Sequence, residues 1–293
     1  RSVAFILAVV MLLLSCVFVT VTDMMSDGEQ SDIIKIDTHL VKIEEPMNTS
    51  MVDYAVKLFS KVREENFADS DCYFVLIPDK YRYLSDKSYE YDEFYDYMSS
   101  KLQICEFIPV YDLLSSDDYY RTDPHIRQAC LVDVSQQILE KMGKESEGEF
   151  TGENISSPFY GNYAHRTKLK VSSDTLTSLK NDVINNLEIE EGYDVYDFSK
   201  LNTDEPYEFF LSGNQSVVTI NNKMCDSGDR LIIFRDSFAS SYAPLMCENY
   251  SQVVLVDLRY IMSDMVSDYV DFENADVLFM YSTTLMNNSL TMR

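Results

Sequence analysis

The sequence predicts a three-layer α/β/α domain built on a mostly parallel sheet. Short uninterrupted apolar runs recur at Tyr73-Phe74-Val75-Leu76-Ile77, Leu231-Ile232-Ile233-Phe234, Val253-Val254-Leu255-Val256 and Val277-Leu278-Phe279-Met280. Strands apolar on both sides need cover on both faces. Between these runs lie segments whose apolar residues repeat at helical spacing. Strands alternating with helices build parallel sheets with helical crossovers, and such sheets hold their ligands beyond the carboxyl ends of the strands.

In chain order, residues 3–22 carry no charge and are long enough to span a bilayer as a helix. Asp23, Asp27 and Glu29 follow, which suits a translocated side. A retained signal anchor at 1–22 with a linker at 23–32 is therefore expected, a cleaved signal peptide being the alternative and lipidation at Cys16 a weaker one. Val52, Ala55, Val56, Phe59 and Val62 predict a helix, and the 73–77 strand after it closes at Pro78. Tyr91, Phe94, Tyr95, Met98 and Leu102 predict a second helix, and residues 107–114 contain a short strand candidate. Leu131, Val134, Ile138 and Met142 form another helical face, as do Leu176, Leu179, Val183 and Leu187. Residues 143–162 have no clear period and read as a loop or insertion. One domain over 33–293 is the expected organisation.

The chain has 293 residues with 24 basic and 49 acidic side chains, a net charge of −25. That balance argues against nucleic acid as a partner, since such binding rests on neutralising phosphates. At 46% hydrophobic and 25% charged, neither disorder nor a polytopic membrane protein fits. The cysteines beyond the anchor, at 72, 105, 130, 225 and 247, form no C-x-x-C pair and no zinc-type cluster. One disulfide among them is open, without an assignable pairing. No metal and no cofactor are expected.

Histidine is scarce: only His39, His125 and His165 are present. In Thr122-Asp123-Pro124-His125 a carboxylate lies two residues before an imidazole, with a proline to stiffen the turn. Such a carboxylate can fix the imidazole tautomer and stabilise the imidazolium formed when the base takes a proton. Ser237 follows the 231–234 strand, where its hydroxyl would face the cleft and backbone N–H groups could meet a developing oxyanion. Asp123, His125 and Ser237 thus make a candidate triad, although helix N-caps use the same residue types. Gly213 and Asn214 offer oxyanion or substrate contacts, or simply a turn. No Gly-x-Ser-x-Gly elbow surrounds Ser237. The Tyr- and acid-rich stretch 79–97 reads as a helix with an aromatic core face, the alternative being a sugar-lining wall.

Five spaced blocks carry a resemblance to bacterial DHHW proteins. They are Tyr119-Tyr120-Arg121-Thr122-Asp123-Pro124-His125, Pro158-Phe159-Tyr160-Gly161, Leu211-Ser212-Gly213-Asn214-Gln215, Leu231 through Ala239 with its Asp236-Ser237-Phe238, and Val256-Asp257-Leu258-Arg259-Tyr260. The family is similar to the SGNH-hydrolase-like proteins of alginate O-acetylation. The resemblance implies an SGNH-hydrolase-like (flavodoxin-like) fold, and an exported esterase or O-acyltransferase in the bacterial cell envelope. It implies a polysaccharide or acyl-ester substrate, and Asp123, His125 and Ser237 in the catalytic roles. The alternative is an inactive envelope protein that binds glycan or a protein partner. Pro124 stands where the family has its first histidine and Ile126 where it has tryptophan, a loss expected to remove a sugar-stacking surface.

Overall fold

A small antiparallel hairpin, β1 (Ile33–Ile36) and β2 (His39–Lys42), opens the part of the chain that the computed structural model describes, namely residues 32–85, 91–145 and 148–293. Residues Ile33–Arg293 form one compact unit. The expected anchor, and all but the last residue of the linker, lie outside the described residues. Among those described, no helix is long and apolar enough to cross a membrane.

Helix α1 (Thr49–Asn66) starts where Asn48 caps it, the side-chain oxygen accepting from the N–H groups of Ser50 and Met51 at 3.1 and 3.3 Å. Strand β3 (Cys72–Ile77), helix α2 (Tyr91–Lys101), strand β4 (Glu106–Phe107) and helix α3 (Val132–Lys141) follow. Next come β5 (Thr151–Phe159), β6 (Asp174–Lys180), β7 (Leu187–Ile189), β8 (Val217–Asn222) and β9 (Arg230–Arg235). Helix α4 (Ala239–Met246), β10 (Gln252–Val256) and β11 (Ala275–Ser282) complete the frame. The central sheet has seven strands in the order β4-β3-β11-β9-β10-β8-β7. Its first five run parallel, and β8 is antiparallel to both neighbours.

The apolar runs alternate between two cores, as period-2 geometry requires. Phe74, Leu76, Ile232, Phe234, Val277 and Phe279 pack with α1 and α2. Tyr73, Val75, Leu231, Ile233, Leu278 and Met280 pack with α3 and α4 on the other face. Phe59 of α1 lies 4.6 Å from Phe279 and 5.1 Å from Tyr281, ring to ring. The four long apolar runs are thus buried strands, as their composition demands.

Two expectations fail. Leu176, Leu179, Val183 and Leu187 do not share a helix: the first two lie on β6, Val183 in a four-residue turn (Asp182–Asn185), and Leu187 on β7. The 3–4 spacing was coincidental, since Leu176 and Leu179 enter different cores from opposite faces of one strand. Alternating Thr175 and Thr177 were the better guide, because β-branched residues suit strands. Residues 143–162 are also more than a loop. β5 pairs antiparallel with β6 in a separate two-stranded sheet. Mostly solvent-facing on both sides, β5 shows no hydrophobic period. In the Tyr-rich 79–97 stretch, Tyr91 and Phe94 are buried in the core, while Asp79, Lys80 and Tyr81 line a cavity at the end of the sheet.

Cys72, opening β3, and Cys105, just before β4, form a disulfide across 33 residues of sequence. Replacing both by alanine should lower stability by about 2–4 kcal/mol, because the open chain regains loop entropy. Denaturant unfolding of the variant, beside wild type with and without reductant, measures this; reduction should shift wild type only.

Candidate active site

The carboxyl ends of four parallel neighbours open on one side of the sheet. β3 runs into Asp79 and Lys80, β9 into Asp236 and Ser237, β10 into Asp257 and Arg259, while β11 ends at Ser282 before Thr283. Lys80, Ser237, Arg259 and Ser282 line a cavity of about 260 Å³, and His125 and Asn162 reach it from the long β4–β8 connection.

Three side chains meet at its wall, two of them neighbours in one loop and the third 112 residues further on. His125 Nε2 lies 2.9 Å from Ser237 Oγ. His125 Nδ1 lies 2.6 Å from Asp123 Oδ1. With Asp123 ionised, Nδ1 carries the proton and Nε2 is free to accept from the serine. Ser237 is not a cap: Asp236 Oδ1 takes the Phe238 N–H at 3.0 Å, and the Asp236 and Ser237 carbonyls take those of Ala239 and Ser240. Asp236 is itself fixed through Oδ2, which accepts from Ser282 N–H at 2.8 Å and Ser282 Oγ at 2.7 Å.

Asp123 has no solvent exposure. Burial pushes its carboxyl pKa up, but the neighbouring His125, its ring hydrogen bond, and the N–H groups of Asn162 and His125 outweigh that. The net effect holds Asp123 below the ordinary 3.8. The imidazole plane is set by Tyr207, whose ring stacks on it at 3.6 Å and 1°. Tyr207 Oη donates to Ser241 Oγ at 2.8 Å. Phe238 closes the other flank at 4.7 Å.

No protein-family model and no curated protein matches the sequence. Solved structures do. A DHHW family protein from Eubacterium siraeum superposes with a TM-score of 0.70 at 19% identity, over 90% of this chain and 95% of that one. The chain has the fold of this DHHW family protein. PatB1 of Bacillus cereus gives 0.68 at 18%, over 87% and 96%. The O-acetyltransferase domain of Pseudomonas putida AlgJ gives 0.55 at 11%, over 87% and 92%.

All five blocks that carry the DHHW resemblance converge on this end of the sheet. In the second, Gly161 passes so close to Asp123 that a Cβ would sit 2.3 Å from its Oδ2. Glycine is therefore needed for proximity, and the next N–H, that of Asn162, bonds Oδ2 at 2.9 Å. In the third, Gly213 turns with φ +89°, and its carbonyl accepts from the buried Arg235 guanidinium at 3.4 Å. Gly213 is thus a backbone turn, and Asn214 is exposed, its Oδ1 accepting from Arg259 Nη2 at 3.4 Å. Neither lines the cavity beside Ser237; Asn214 meets it through Arg259. In the fifth, Asp257 and Arg259 pair in two parallel bonds of 2.6 and 2.9 Å.

The departure at 126 has a different meaning from the one expected. Ile126 is 1% exposed and packs in the core with α3 and α4, so its side chain has no face to offer a sugar. Pro124, by contrast, lines the cavity. His39 and His165 stay away from the triad: His39 is buried in β2 beside Thr38, and His165 lies near Tyr160 O and Asp204. Among the described residues no group of three or more His, Cys, Asp or Glu is arranged around a metal site. Sequence reading missed Tyr207, Lys80 and Asp174. Nothing in the sequence marks the first two, and the misread helix hid the third.

Two outcomes follow. Gly161→Ala should displace the Asp123 carboxylate and cut any Ser237-dependent turnover by on the order of 10²-fold while the protein stays folded, as kinetics and thermal melting together would report. Asp123, with its pKa depressed in the folded state, contributes stability that is complete above the unfolded value and lost as pH falls through the folded one. Urea unfolding from neutral to acid pH should therefore show the gap between wild type and Asp123→Asn shrinking below about pH 4.

Proposed function

We propose that the chain is a serine-dependent esterase or O-acyltransferase, with acetyl the favoured acyl group and a cell-envelope or extracellular polysaccharide the favoured partner. The observation that carries this reading is the continuous Ser237–His125–Asp123 hydrogen-bonded line at the open end of the sheet. Similarity in fold to a structure described as an O-acetyltransferase domain supports the acyl chemistry. The Cys72–Cys105 disulfide supports export, since such bonds persist in oxidising compartments. A membrane anchor at 1–22 is part of the proposal.

In the reaction proposed, His125 Nε2 takes the proton of Ser237 as Oγ attacks the ester carbonyl carbon, pushing the carbonyl electron pair onto oxygen. The Ser237 backbone N–H, after the strand end, is the oxyanion donor of choice. Collapse breaks the bond to the leaving alkoxide, which receives the proton from the imidazolium and departs as an alcohol. The acyl-serine is then attacked by a sugar hydroxyl, or by water, whose proton returns through His125 to Ser237. Asp123 stays ionised throughout and stabilises the imidazolium.

Acetyl-ester turnover and labelling by a sulfonyl fluoride test the reading. Ser237→Ala and His125→Ala should each cost at least about 10³-fold, and the double variant little more than either, because the residues act as a unit. Asp123→Asn should cost on the order of 10²–10⁴-fold, an amide holding the wrong tautomer. Wild type should label and Ser237→Ala should not. Unlabelled, inactive, well-folded wild type would instead favour a non-catalytic glycan- or protein-binding module.

A further inference from the structure

We propose that Lys80 is a positioning residue for the triad, holding the loop that carries Asp123 and His125 by its backbone; this rests on the catalytic reading above. The segment 120–123 has no regular structure, yet each of its four carbonyls has a donor. Arg121 O takes the Leu40 N–H of β2 at 2.7 Å, and Thr122 O the Ala164 N–H at 3.2 Å. The other two, Tyr120 O and Asp123 O, are both held by the Lys80 ammonium, at 2.9 and 2.8 Å. One side chain thus ties together the two ends of the segment.

The opposite edge of the loop is held by the opposite charge. Asp174 of β6 accepts from Arg121 N–H and Thr122 N–H, both at 2.9 Å, and from Thr122 Oγ1 at 2.6 Å. Thr122 Oγ1 in turn accepts from Gly161 N–H at 3.0 Å. A cation on the carbonyls and an anion on the amides leave the segment little freedom to slide.

Lys80 is a costly side chain to bury, and what it supplies here is N–H donors to two carbonyls at once. It is 3% exposed, and burial pushes its pKa down to about 7, against the pull of Asp123 and Asp174. Its ammonium lies 5.1 Å over the Tyr163 ring, and the pKa of His39 is lowered first by burial and then by the Lys80 charge. A methionine would fill the same volume without those costs but would leave two buried carbonyls unpaired. The position also has local logic: Lys80 follows the carboxyl end of β3, a parallel strand fixed in the core, so it transmits the sheet's rigidity to an irregular loop.

The test reads the Asp123–His125 bond directly. In the imidazolium form, a proton held between Nδ1 and Oδ1 gives a strongly deshielded proton NMR resonance. Wild type and Ser237→Ala should show it, His125→Ala should not, and Lys80→Met should lose or markedly shift it. Lys80→Met should also lower kcat at least about tenfold with KM little changed, as for a misaligned base. Lys80→Gln, whose amide can reach one carbonyl but not two, is the second variant should the Met variant not fold; it should weaken the resonance and lower kcat about fivefold or more. Whichever variant folds, an unaltered resonance with wild-type kcat overturns the proposal. Wild-type turnover that does not need Ser237 would sink the catalytic reading instead, while the resonance would still report on Lys80.

Discussion

The structure depends on keeping one ionised carboxylate, that of Asp123, out of water. A charge in that position is tolerable only if its surroundings pair it and hydrogen-bond it. Much of what lies outside the central sheet is arranged to do so. The β5 strand leads to Gly161 and Asn162, which close on Oδ2. β6 brings Asp174 against the amides of the same loop, and β2 meets one of its carbonyls. These peripheral pieces also bury residues of their own, among them Leu40, Phe159 and Leu176. Their shared role is to make a buried anion affordable next to an imidazole.

The sheet supplies the other half of the geometry. Ser237 lies 112 residues from His125, and its place follows from β9 being flanked on both sides by parallel strands with aromatic and aliphatic cover above and below. A hydroxyl at the end of such a strand has little room to drift. The site thus joins a rigid partner from the core to an irregular loop that is rigid only through polar bonds.

What could be read from the sequence follows from the same division. The buried strands announced themselves because covering both faces leaves uninterrupted apolar runs, and α1, α2 and α3 because each has one apolar stripe. Asp123, His125 and Ser237 stood out through the scarcity of histidine, the two-residue spacing and the strand end. β5 and β6 did not, since an exposed hairpin has no hydrophobic period and Leu176 and Leu179 imitate a helix. The seats of the site were equally hidden: Gly161 acts by lacking a side chain, and Tyr207 is one of 21 tyrosines. Ile126 was misjudged because a position beside His125 need not face the same way as the imidazole.

The parallel ring of Tyr207 has a kinetic meaning. Stacked on it, and tethered at Nδ1, the imidazole is held in one orientation. In the reaction proposed, Nε2 therefore serves the departing alcohol and the incoming hydroxyl at one and the same spot, in turn. On that proposal the first product has to vacate before the second reactant can be activated, the sequence of a ping-pong order.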